Sequence, residues 1–124
     1  MPFEEIDGMA TFNPASQRSN PAPLGFAAPV AGTPVNVCAN FTDLTGAQFQ
    51  SLSIQASVAN TGTVYILSNS SAADTTNGTN IIGELQAGQS LPFSGLAQGG
   101  ITPSQFWIDV SATGNKAIPI VYTA

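Results

Sequence analysis

The side chains able to do chemistry are few and scattered. The chain has no histidine, which removes the usual general base, the commonest metal ligand and any Ser-His pairing. Its acids are Glu4, Glu5, Asp7, Asp43, Asp74, Glu84 and Asp109, and none pairs with another at the spacing of a catalytic motif. Glu4, Glu5 and Asp7 sit in a proline-rich stretch with nothing rigid to hold them. A two-carboxylate site needs Asp43, Asp74, Glu84 or Asp109 to converge in space. Asp74, surrounded by Asn and Thr, has the ligand types of a weak cation loop. It lacks calcium-loop spacing, and a plain polar loop is the simpler account. Cys38 is the single cysteine, so an internal disulfide is excluded. With no histidine beside it, it reads as a small filler residue rather than a nucleophile. The expectation is therefore a protein that is not an enzyme and holds no cofactor and no metal.

Charge narrows the partners. Seven acids and two bases give a net charge of −5, and only 7% of residues are charged, against roughly 25% in an average domain. The bases, Arg18 and Lys116, are too few to neutralise a run of phosphates or to hold an anionic membrane, so neither nucleic acid nor membrane is an expected partner. No apolar run approaches the ~18 residues a membrane helix needs. The first residues carry no basic n-region and no apolar h-region. Asn-x-Ser/Thr triplets at Asn40, Asn69 and Asn77 mean nothing without a secretory route. The expectation is a protein made in the cytosol.

The elements that must position these groups read as β. Residues 1–34 hold most of the prolines, and Pro14, Pro21, Pro23, Pro29 and Pro34 each remove a backbone donor and extend the preceding residue. The stretch reads as an extended arm, with the domain at 35–124. Phe3, Ile6, Met9, Phe12, Leu24 and Phe26 leave two readings, a disordered terminus or an arm that orders against a neighbouring subunit. Deletion of residues 1–30 is expected to leave a folded domain. In "VNVCANF", Val35, Val37, Ala39 and Phe41 alternate with Asn36, Cys38 and Asn40. Thr45 and Gln48 have capping-box spacing for one helical turn. A strand from about Phe49 to Ala59 and "TVYIL" flank the turn Asn60-Thr61-Gly62 and predict a hairpin. "NSSAADTTNGTN" is a polar loop with a turn at Asn77-Gly78. "IIGELQAGQSLPF" reads as two short strands. Thr102 and Pro103 open a helical turn, and "FWIDVSA" points Phe106, Ile108 and Val110 inward. A turn at Thr113-Gly114-Asn115 leads to a closing strand. About seven short strands make an all-β, small antiparallel sandwich or jelly-roll-like domain.

One strand carries the functional question. Ser51, Ser53 and Gln55 alternate with Leu52, Ile54 and Ala56, so the open face of a half-buried strand has no charge. Burying an unpaired charge costs several kcal/mol, whereas Ser and Gln hydrogen-bond across a contact, and interface cores are depleted in charge for this reason. A domain built this way is expected to be covered by association. Trp107 faces away from Ile108, and Tyr65 and Leu67 pose the same choice on their strand: each is either a partly buried strand residue or an interface anchor.

The stretch from residue 50 to 124 resembles small tailed-phage virion proteins. The motifs are Val64-Tyr65-Ile66, Asn77-Gly78, Leu85-Gln86-Ala87-Gly88-Gln89-Ser90-Leu91 and Trp107-Ile108-Asp109-Val110-Ser111-Ala112-Thr113-Gly114, followed by a short apolar strand ending in Tyr122. The resemblance implies a head-decoration or cement protein located in the virion, with the major capsid protein and further copies of itself, as a homotrimer, for partners. Phe3, Phe12, Leu24 and Phe26 are then the arm anchors, and Tyr65, Leu67 and Trp107 the domain's interface residues. A neck, tail or head-fibre part is the nearest alternative. A carbohydrate-binding or receptor-binding module using Trp107, Tyr65 or Tyr122 as a stacking platform is another.

Overall fold

The computed structural model describes residues 6–7, 9–10, 20–95 and 99–123. Two short strands, β1 (Ile6–Asp7) and β2 (Met9–Ala10), pair with each other. Phe3 and Phe12, expected as arm anchors, lie outside the described residues. The domain is built from β3 (Asn20–Pro23), β4 (Val35–Asn36), β5 (Ser51–Ala56), β6 (Val64–Leu67), β7 (Ile81–Leu85), β8 (Ser90–Ser94), β9 (Trp107–Val110) and β10 (Ala117–Thr123). These form two four-stranded antiparallel sheets, ordered β3-β10-β5-β8 and β4-β9-β6-β7. Every connection except β6–β7 passes from one sheet to the other, and this order is that of an eight-stranded jelly roll.

The period of two places the core. Leu52, Ile54 and Ala56 of β5, Val64 and Ile66 of β6, Ile108 and Val110 of β9, and Ala117 and Val121 of β10 point between the sheets and are buried. Phe93 of β8 and Phe106 close one side of this core with ring centroids 4.9 Å apart. Gly83 of β7 lies under the Leu91 side chain, whose Cδ2 would have to shift to admit a Cβ there.

Several expectations change. The predicted hairpin does not form, because β5 and β6 lie in opposite sheets. The intervening Asn60-Thr61-Gly62 is clamped instead to the β9–β10 turn. Buried Asn115 accepts from Thr61 N (2.9 Å) and Gly62 N (3.0 Å), and Asn60 exchanges two hydrogen bonds with the Lys116 backbone. The "VNVCANF" alternation stops at Asn36, whose side chain accepts from Cys38 N and turns the chain, so Val37 and Cys38 are both buried. The turn expected near Thr45 lies earlier, at Thr42–Leu44, whereas the turn after Thr102 forms where the sequence puts it, at Pro103–Gln105; both are 3₁₀.

The boundary between arm and domain moves from residue 34 to about Asn20. β3 is an edge strand of the first sheet, and Leu24 and Ala27 are core residues. Pro119 explains how the chain leaves β3. Leu24 N donates to Pro119 O (2.8 Å), but Pro119 has no N–H to return. The Leu24 carbonyl accepts from Asn40 Nδ2 instead, and Gly25, at φ +80°, bulges the strand before Ala27 rejoins Ala117.

Candidate functional site

Two surfaces follow from this architecture, one on the outside of each sheet. The outer face of the first sheet is formed by Pro21 and Pro23 of β3, Ile118, Ile120 and Tyr122 of β10, Ser51, Ser53 and Gln55 of β5, and Ser90, Pro92 and Ser94 of β8. The face carries no charge across four strands. Both edge strands contain proline, which denies a further strand part of its ladder.

The outer face of the second sheet has a different chemistry. Asp109 is an outward position of β9, yet it is 2% exposed. Its Oδ1 accepts from Gly32 N (2.8 Å) and Val110 N (2.8 Å), and its Oδ2 accepts from Ala73 N (2.9 Å). A carboxylate accepts several backbone donors at once, so this one residue draws the β3–β4 loop and the β6–β7 loop down over the sheet. The second of these, residues 68–80, closes on itself through Ser68 N to Asn80 O (3.0 Å). Asn80 is its hub. The amide donates to Asn69 Oδ1, Ser71 O and Ala72 O at 3.0–3.1 Å and accepts from Asp74 N. Asp74 caps the tip, accepting from the backbone of Thr76 and Asn77 and from the Thr79 hydroxyl at 2.6 Å. These contacts hold its carboxyl below the usual aspartate range, with the Thr79 hydroxyl the largest cause. A compact loop with joined ends, packed by its own side chains, is an Ω-loop.

This loop makes one wall of an open cleft. Ser68, Asn69 and Ser70 face Gln105, Phe106 and Trp107 across it, with Ile82 of β7 at its edge. Trp107 is half-buried and Ile82 is 42% exposed. Among the described residues, no charged one lines the cleft.

The residues singled out in the sequence divide among these places. Trp107 lies in the cleft and Tyr65 on the same outer face, half-buried, opposite Asp109. Leu67, expected at an interface, is fully buried, and Leu24, expected as an arm anchor, is 2% exposed. Both serve the domain's own interior. Phe26 is half exposed, with Lys116 Nζ 4.2 Å from its ring centroid. Cys38 is buried, and burial raises its thiol pKa. Among the described residues, no three of Cys, Asp and Glu come together in space. Sequence reasoning named Asp109 only as a carboxylate that could converge with another, and it missed both its role as a loop anchor and Asn80. A lone acid in an alternating strand is an available signal for the first. Asn80, closing a polar loop just before an apolar strand, is a weaker one for the second.

No protein-family model, no curated protein and no solved structure matches the chain.

Proposed function

We propose that this protein is a non-enzymatic structural component of a tailed-phage virion, a head-decoration or cement protein that binds the outer shell and ties neighbouring capsomers together. The observation that carries the reading is the outer face of the first sheet, four strands wide and free of charge. Such a face loses little on desolvation, and its hydroxyls and amides can pair across a contact. Four strands at about 4.8 Å spacing and five residues at about 3.4 Å give roughly 300–400 Å², about half of one side of a standard interface. A single contact of that size is weak. Repeated over a shell, or joined to a second contact, it becomes strong.

The second contact is the segment before Asn20, which carries Phe3 and Phe12 and enters the domain at the edge strand β3. On this reading it reaches the major capsid protein or the next copy of a homotrimer by strand addition and pocketed side chains. Binding only the assembled shell stabilises that shell by mass action. The jelly roll is compatible with this role, though the fold alone argues no function.

Light scattering over a dilution series and co-sedimentation with tailed-phage heads test the reading together. The expected results are a mass of several protomers that persists on dilution, and co-sedimentation abolished by Gln55→Lys. A monomer at every concentration that also stays in the supernatant would overturn it.

A further inference from the structure

We propose that the cleft beside Trp107 is a binding site for a neutral pyranose sugar. The inference does not depend on the role of the first sheet. It starts from the one tryptophan of the chain, half-buried at the cleft with Ile82 exposed beside it. An indole face complements the C–H face of a pyranose ring, as aromatic side chains with one apolar and one wet side commonly do. Small-molecule sites pair such an apolar wall with a few placed polar groups.

Those polar groups are present and uncommitted. Asn69 Oδ1 is occupied by Ser71 N (3.0 Å) and Asn80 Nδ2 (3.1 Å), which fixes the amide's orientation and turns its Nδ2 into a free donor among the described residues. Gln105 is exposed across the cleft, and its side-chain amide makes no hydrogen bond to another described residue. The Ser70 hydroxyl is likewise unengaged among the described residues. A carboxamide offers a donor and an acceptor side by side, the pattern that adjacent sugar hydroxyls present. With no charged lining residue among the described ones, the cleft selects a neutral sugar over a uronic or sialic acid, and over a phosphate.

The rim is also preorganised. Asn69 and Ser70 sit on the Ω-loop whose ends are joined by Ser68 N to Asn80 O, and Asp109 anchors that loop to the sheet. Little ordering is then left for binding to supply. The cleft is open to solvent, which suits the terminal unit of a glycan. Tyr65 and Tyr122, also considered as platforms from the sequence, do not line it; Tyr122 lies on the other sheet.

Trp107 emission reports directly on the cleft, because the chain has no other tryptophan. The full chain is titrated with glucose, galactose, mannose and N-acetylglucosamine. The expected result is a saturable emission change with a millimolar Kd for at least one. Gln105→Ala should weaken it about tenfold with the far-ultraviolet dichroism unchanged. Asn69→Asp keeps the Oδ1 acceptor and removes the free donor, and it should weaken binding as well. No saturable change with any of the four sugars would overturn the proposal. So would an unaltered Kd in both variants, or tighter binding of glucuronate than of glucose.

Discussion

The outer face of the first sheet is bare, and that of the second is roofed over Asp109. Both sheets have four antiparallel strands and alternate inward apolar residues with outward ones. Their outward positions nevertheless meet different surroundings. On the first sheet Ser53, Gln55, Ile118 and Ile120 stay half exposed, with uncharged cross-strand partners. On the second, Asp109 and Leu67 hold the same kind of position and are buried. The difference is made by chain far away in sequence. Asp109 contacts Gly32, 77 residues distant, and Ala73, 36 residues distant. A strand's own pattern fixes which side a residue faces; the loops decide whether that side is surface.

The largest effect is expected where the first sheet ends. Removing residues 1–30 deletes β3, Leu24 and Ala27, leaves β10 as a new edge and opens the core; loss of a Leu-sized core group alone costs about 2–5 kcal/mol. Circular dichroism is expected to show no cooperative unfolding transition. Removal of residues 1–19 should leave the transition within a few degrees of the full chain. An equally stable 1–30 deletion would return β3 to the arm and leave a three-stranded first sheet.

Next comes the anchor of the second sheet. Asp109→Ala leaves Gly32, Ala73 and Val110 N–H groups without their acceptor. Each unsatisfied donor costs about 1–3 kcal/mol where water cannot replace the carboxylate, so urea denaturation is expected to report a loss of about 3–5 kcal/mol. Gln55→Ala, at an outward position of the bare face, should change stability by no more than about 0.5 kcal/mol. Equal effects would erase the distinction between the faces. Asn80→Ala should cost about 2 kcal/mol and raise hydrogen exchange across residues 68–80 while leaving β5 protected.

What was legible in the sequence follows the same division. Ser51–Ala56 announces its buried and open faces by period alone, and the lack of charge on the first sheet is visible from composition. The jelly-roll order is not, because Asn60-Thr61-Gly62 reads as a hairpin turn until Asn115 and Lys116 are seen to clamp it across the end of the sandwich. For a related reason the sequence puts Leu24 and Leu67 at interfaces, whereas the fold buries both. Proline-rich sequence before Leu24 suggests an arm, but prolines are equally suited to an edge strand. Leu67 is outward by parity, and only the tertiary fold buries it. At the cleft, Trp107 could be named from the sequence, whereas Gln105, Asn69 and Ile82 come to it from three separate elements.

The smallest effect expected is acid loosening of the Ω-loop alone. The Thr79 hydroxyl, then the Asn77 N–H, favour the ionised form of Asp74 and hold its pKa below the ordinary aspartate value. A depressed folded pKa means that Asp74 contributes stability above its unfolded pKa, about 3.9. That contribution is lost as pH falls through the lower, folded value. Exchange protection factors for Thr76 and Asn77 N–H, which donate to Asp74, should therefore hold steady above about pH 5 and decline below about pH 4. Asp74→Asn should remove that decline. Among the described residues, the first sheet's outer face has no carboxyl to protonate, so the amides of β5 should keep constant protection over the same window. A parallel decline in β5 would mean that acid opens the whole domain rather than its roof, and that the two faces are coupled more tightly than their separate hydrogen-bond networks imply.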